Sequence, residues 1–119
     1  NRDGTTTLIL SDEGKKRALT FNIDSLQIRE PKRWDGKWRL VAFDIRERQR
    51  YLRDCLRRHL TRLGLHPLQQ SVWLYPYPCQ DIVRLLKVDL GIGRRVQYFT
   101  VGAFEDREEE KSWRIHFDV

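Results

Sequence analysis

An α+β fold built on an antiparallel sheet is predicted by three observations. Segment 37–45 reads Lys37-Trp38-Arg39-Leu40-Val41-Ala42-Phe43-Asp44-Ile45, an apolar run too short for a helix that ends in one carboxylate. Segment 47–63 repeats leucine at positions 52, 56, 60 and 63, the spacing of one helix face. Beyond it, the strand-like segments 71–77 and 95–101 enclose a second amphipathic stretch, 81–90. From Lys37 the expected order is strand, helix, strand, helix, strand, strand, the last being the alternating segment 113–119.

Taken from the beginning, residues 1–4 read as a turn, and residues 5–10 are β-branched and apolar enough for a strand. Ser11 reads as the N-cap of a short helix through Leu19, with Asp12 and Glu13 in its first turn. This strand–helix appendage cannot bury a core of its own. Together with the lack of any methionine, it leads to the expectation that the chain is a piece of a longer protein. Residues 21–34 form a connector, because Pro31 and mixed charge interrupt any period. The expected division is therefore an appendage over 1–33 and a main domain over 34–119.

Within the main domain, Trp34-Asp35-Gly36-Lys37 is a tight turn into the first core strand. Leu40-Val41-Ala42-Phe43 is apolar at consecutive positions, as in a central strand covered on both faces. Gly64 and Pro67 end the first helix. In 71–77, Val72, Leu74 and Pro76 alternate with Trp73, Tyr75 and Tyr77; Pro76 lacks an amide hydrogen and so places this strand at an edge or at its own end. The aromatics are read as core or interface rather than as a base-stacking platform. Gly91 and Gly93 break the second helix, and 105–111 is a solvated acidic loop.

The formal charge is +6 across 119 residues, carried mostly by arginine, which suits bidentate phosphate contact and a polyanionic partner. Arg46, Arg48, Arg50, Arg53, Arg57, Arg58 and Arg62 crowd the first helix against only Glu47 and Asp54, an excess that points to nucleic-acid phosphates. Two cysteines, Cys55 and Cys79, are too few for a disulfide framework and lie in no zinc-binding spacing; a reduced, cytoplasmic protein is expected. No apolar run is long enough to span a bilayer. His59, His66 and His116 show no mutual spacing of a triad or metal site, and Ser71 has no base near it in sequence, although it could hydrogen-bond a phosphate.

Three patterns together resemble a known family. Leu40-Val41-Ala42-Phe43-Asp44-Ile45 with its basic helix, Gln70-Ser71-Val72-Trp73, and Arg95-Val96-Gln97-Tyr98-Phe99 are similar to the second of the two core CRISPR-associated adaptation subunits. That resemblance implies a ferredoxin-like βαββαβ domain, a homodimer, duplex DNA or RNA as ligand and an integrase as partner. It also implies Asp44 as metal-binding and catalytic residue of a metal-dependent endonuclease using Mg²⁺ or Mn²⁺. The preceding run, Lys32-Arg33-Trp34-Asp35-Gly36-Lys37-Trp38-Arg39, looks more like PaaX-type transcription repressors, which join a winged helix to a central domain of the same fold. Leu8-Ile9-Leu10-Ser11-Asp12-Glu13-Gly14-Lys15-Lys16 is similar to a wing strand and closing helix. This second resemblance implies dimerisation without catalysis.

Asp44 therefore has two readings. One carboxylate holds Mg²⁺ only with further oxygen ligands, which a symmetric dimer supplies through a second Asp44. Alternatively, Asp44 caps the arginine-rich helix or pairs with Arg46 or a more distant arginine. Arg46 and Arg48 immediately follow it, with no neighbouring acid to strengthen a metal site.

Overall fold

The computed structural model describes the backbone of residues 5–12 and 15–119, and side chains from Asn22 onward. Strands β1 (Thr5–Asp12) and β2 (Lys15–Asn22) pair antiparallel, from Thr5 opposite Asn22 to Asp12 opposite Lys15. The helix expected from Ser11 to Leu19 is thus replaced by a second strand. That helix would have carried Gly14 in its interior, a cost of about 1 kcal/mol, and Thr20-Phe21 beyond it favour extended backbone.

The chain then makes a 3-10 turn over Ile23–Ser25, with the Asn22 side chain accepting from the Asp24 amide at 3.0 Å. Ile23 is buried, and Leu26 and Ile28 pack against the main core. Arg62 holds this connector in place by donating to the carbonyls of Leu26 (2.8 Å) and Ile23 (2.9 Å). Arg62 is thereby largely engaged within the fold. Arg62→Ala is expected to cost about 1–2 kcal/mol of stability, because two charge-assisted bonds to partly solvated carbonyls are lost. Amide exchange should accelerate at residues 23–28 and stay unchanged in the sheet; unaltered exchange there would show that apolar packing alone fixes the connector.

Strand β3 (Trp38–Phe43) enters from a turn at Gly36, whose φ of +81° is a conformation that residues with a Cβ rarely adopt. Asp35 accepts from the Lys37 amide at 3.0 Å, and Trp34 Nε1 donates to the Lys37 carbonyl at 2.7 Å. Beyond β3, a single 3-10 turn (Glu47–Gln49) leads into helix α1 (Arg50–Leu63), closed by Gly64 at φ +100°. Strands β4 (His66–Gln69) and β5 (Val72–Tyr75), helix α2 (Gln80–Leu90) and strand β6 (Val96–Val101) follow.

The sheet order is β4-β5-β3-β6, every neighbouring pair antiparallel. With α1 and α2 on one face, this is the ferredoxin-like βαββαβ arrangement. Leu56, Leu60 and Leu63 of α1 and Val83 and Leu86 of α2 pack against Val41, Phe43, Trp73, Tyr75 and Val96. The aromatics Trp73 and Tyr75 are core, on the helix-covered side.

Two further elements depart from expectation. The predicted single strand 71–77 is a hairpin, with Gln70 and Ser71 linking β4 to β5. Pro76 places this strand at an edge or at its own end, and the second alternative holds. Pro67, in β4, occupies an edge strand, where a missing N–H is tolerated. Strand β5 lies inside the sheet and ends just before Pro76.

The second departure is at the C-terminal end, where the expected loop 105–111 and strand 113–119 form helix α3 (Arg107–Phe117). Asp106 caps it by accepting from the amides of Glu108 (3.0 Å) and Glu109 (3.1 Å), and three glutamates occupy the first turn, where the helix dipole favours them. Trp113, Ile115 and Phe117 alternate like a strand, but Trp113 and Phe117 also stand one helical turn apart. The helical period wins: both rings turn inward and Ile115 is left 74% exposed. Helix α3 covers the Trp38 end of the second sheet face, where the indole Nε1 of Trp38 donates to Glu110 at 2.9 Å and its ring meets Phe104 and Phe117. Farther along that face Leu40, Ala42 and Val72 are half-buried and Phe99 is 44% exposed.

Candidate functional site

Antiparallel pairing determines what surrounds Asp44. Phe43 pairs with Val96 in β6, and the next amide, of Asp44, donates to the Arg95 carbonyl at 2.8 Å. On the other side the Phe43 amide donates to the Ser71 carbonyl at 2.9 Å. The end of β3 is thus held between the β4–β5 link and the 3-10 turn Gly93–Arg95 that precedes β6. The Asp44 side chain emerges there, exposed to solvent.

Two adjoining clefts share this rim. One, of about 320 Å³, is lined by Asp44, Ser71, Arg94, Arg95 and Gln97 together with the end of β3. The other, of about 210 Å³, is lined by Asp44, Gln70, Ser71, Arg53 and Arg57. The Asp44 carboxylate makes no hydrogen bond or ion pair with any described residue. Neither helix cap nor ion pair accounts for it: Arg46 and Gln49 occupy the two cap positions after β3, and neither cap carries a side-chain hydrogen bond.

The arginines expected to bind nucleic acid separate into groups. Arg50 pairs with Glu47, and Arg53 reaches the same carboxylate at 3.4 Å. Glu47 is correspondingly more acidic than an ordinary glutamate, chiefly through its hydrogen bond from Arg50. Arg57 donates to the Gln70 carbonyl at 3.3 Å, stands 3.9 Å from Asp54 and lies over the Phe43 ring, which anchors it at the cleft. Arg46, Arg48 and Arg58 are exposed and have no side-chain partner among the described residues.

Arg94 and Arg95 were not singled out from the sequence, yet they face the same carboxylate from the opposite side. Their signal was present as a double arginine between Gly93 and a strand. It becomes readable only once β6 is known to lie beside β3. Sequence spacing also hid a contact between His66 and His116, whose rings meet 4.4 Å apart beside Trp113. His59 stands apart, buried in α1, its Nδ1 3.3 Å from Arg62.

The donor set does not fit a divalent metal within one chain. Among the described residues Asp44 is the only carboxylate lining either cleft, against four guanidinium groups. Among the described residues no three His, Cys, Asp or Glu side chains come together. Mg²⁺ and Mn²⁺ call for several oxygen ligands, and neighbouring cations raise the cost of binding either ion. Burial pushes the Cys79 thiol up to about 11, away from the reactive thiolate, and its backbone amide donates to the Tyr98 hydroxyl at 3.1 Å. Among the described residues no helix is long and apolar enough to cross a membrane.

Residues 31–113 match the family described as PaaX protein central Cas2-like domain. Comparison with curated proteins and with solved structures gave no match.

Proposed function

We propose, on the premise that this chain belongs to the PaaX protein central Cas2-like domain family, that it is the non-catalytic, dimerising core of a cytoplasmic transcription regulator that contacts duplex DNA. The observation that carries this reading is the composition of the Asp44 rim, one carboxylate among four arginines. Such a surface attracts phosphates but lacks the ligands that metal-assisted hydrolysis requires. Leu40, Ala42, Val72 and Phe99, on the part of the sheet left uncovered by α3, supply apolar surface for a second copy.

A second reading keeps the metal-dependent endonuclease, with Mg²⁺ or Mn²⁺ shared between two Asp44 side chains of a dimer, as in the CRISPR adaptation subunit with its integrase partner. The observation in its favour is that Asp44 is exposed and has no partner among the described residues. One experiment separates the two. Labelled duplex DNA and RNA are incubated with the wild-type chain and Asp44→Ala in Mg²⁺, Mn²⁺ or EDTA, and the oligomeric state is measured by light scattering. The regulator reading expects a dimer and no metal-dependent cleavage from either protein. Cleavage that requires metal and disappears in Asp44→Ala would establish the enzyme instead.

A further inference from the structure

The two clefts at the end of β3 form one groove, because Phe43, Asp44 and Ser71 line both. The groove crosses the sheet end from Arg94 and Arg95 on one side to Arg53 and Arg57 on the other. We propose that this groove is a metal-independent binding site for the phosphodiester backbone of DNA, in which Asp44 weakens the bound anion instead of anchoring a cation. The inference deepens the regulator reading and rests on it, since it names where the domain itself would touch DNA.

The charges argue for it. Four guanidinium groups line the groove against one carboxylate; Arg53 and Arg57 also stand near Glu47 and Asp54, so the uncompensated positive charge lies chiefly with Arg94 and Arg95. Arg94 and Arg95 make no side-chain hydrogen bond or ion pair with any described residue, so both forks remain available to phosphate oxygens. Arg57 is positioned from beneath by Phe43 and by the Gln70 carbonyl. Ser71 adds a hydroxyl at the centre of the rim, able to donate to a phosphate oxygen. Asp44, exposed and between the two arginine pairs, opposes an entering phosphate at both ends. Its role is opposite in sign to that of a metal ligand, and this makes the proposal testable.

The experiment is fluorescence anisotropy of a short labelled DNA duplex with the full chain, in EDTA throughout, across a salt series. Arg94→Ala/Arg95→Ala should weaken binding roughly tenfold and make the log–log salt dependence shallower by about 1.5–2. These two side chains support nothing else among the described residues, so thermal unfolding should be unchanged. Asp44→Asn, which preserves shape and removes the charge, should tighten binding by about threefold to tenfold. Binding that needs a divalent cation, an Asp44→Asn affinity equal to or below wild type, or indifference to the double substitution overturns the proposal. Absence of binding by the wild-type chain overturns it too, while the regulator reading still stands or falls on its own cleavage and dimer measurements.

Discussion

Trp38→Ala is expected to remove about 3–5 kcal/mol of folding stability, the range for deleting a large aromatic from a closed core. Trp38 is fully buried, and it is one of the residues through which α3 is fastened to the sheet. Its ring meets Trp34 at 4.9 Å, Phe104 at 5.5 Å and Phe117 at 6.1 Å between centroids, and its Nε1 donates to Glu110. Removing the indole therefore opens a cavity and also strips the ring of contacts that position α3. Urea denaturation should show the loss as a lower midpoint, and amide exchange in 107–117 should rise before that of the sheet. Glu110→Gln keeps an acceptor for the indole and should cost little, whereas Glu110→Ala leaves that N–H unpaired at about 1–3 kcal/mol. A Trp38→Ala loss under about 1 kcal/mol would mean that Trp34 and Phe104 collapse into the vacated space.

The parts of this fold that were legible in the sequence are those whose burial period is unambiguous. Leu52, Leu56, Leu60 and Leu63 can only be one face of a helix, and 40–43 can hardly be anything but a central strand. Helix α2 and strand β6 were recoverable for the same reason, within a residue of their ends. The failures lie where two periods compete or where pairing is non-local. Trp113, Ile115 and Phe117 satisfy a strand by alternation, and the helix emerges only through the Asp106 cap and the contacts of Trp113 and Phe117 with the sheet. Segment 66–69 carries a proline and little apolar pattern, and it becomes a strand because β5 offers it an edge. At the candidate site, Asp44 was visible as a misplaced charge. Its neighbours Arg94 and Arg95 lie some fifty residues away in sequence and reach it only through the register of β3 with β6.

Arg39→Met is expected to destabilise the fold by about 3 kcal/mol, because it breaks a charge pair whose basic member is buried. The Arg39 side chain is only 6% exposed, against 46% for its partner Asp35. The guanidinium donates to both Asp35 oxygens, at 2.8 and 2.6 Å, and to the carbonyls of Lys37 (2.9 Å) and Pro76 (2.8 Å). It thereby ties the turn before β3 to the chain leaving β5. Methionine fills part of the volume but strands the Pro76 carbonyl, while Asp35 regains water and limits the cost. The pair also predicts a pH dependence. The hydrogen bond from Arg39 lowers the Asp35 carboxyl to about 2, from an ordinary value of 3.8. A folded-state value below the unfolded one means that the contribution is complete above the unfolded value and fades as pH falls towards the folded one. The stability gap between wild type and Arg39→Met should hence stay level from neutral pH down to about pH 4 and narrow between about pH 4 and pH 2. Lysine at this position should not restore it, because an ammonium cannot present the parallel donors that engage both Asp35 oxygens while still reaching the Pro76 carbonyl. A gap that narrows already near neutral pH, or full rescue by Arg39→Lys, would place the contribution in packing instead of in the fork.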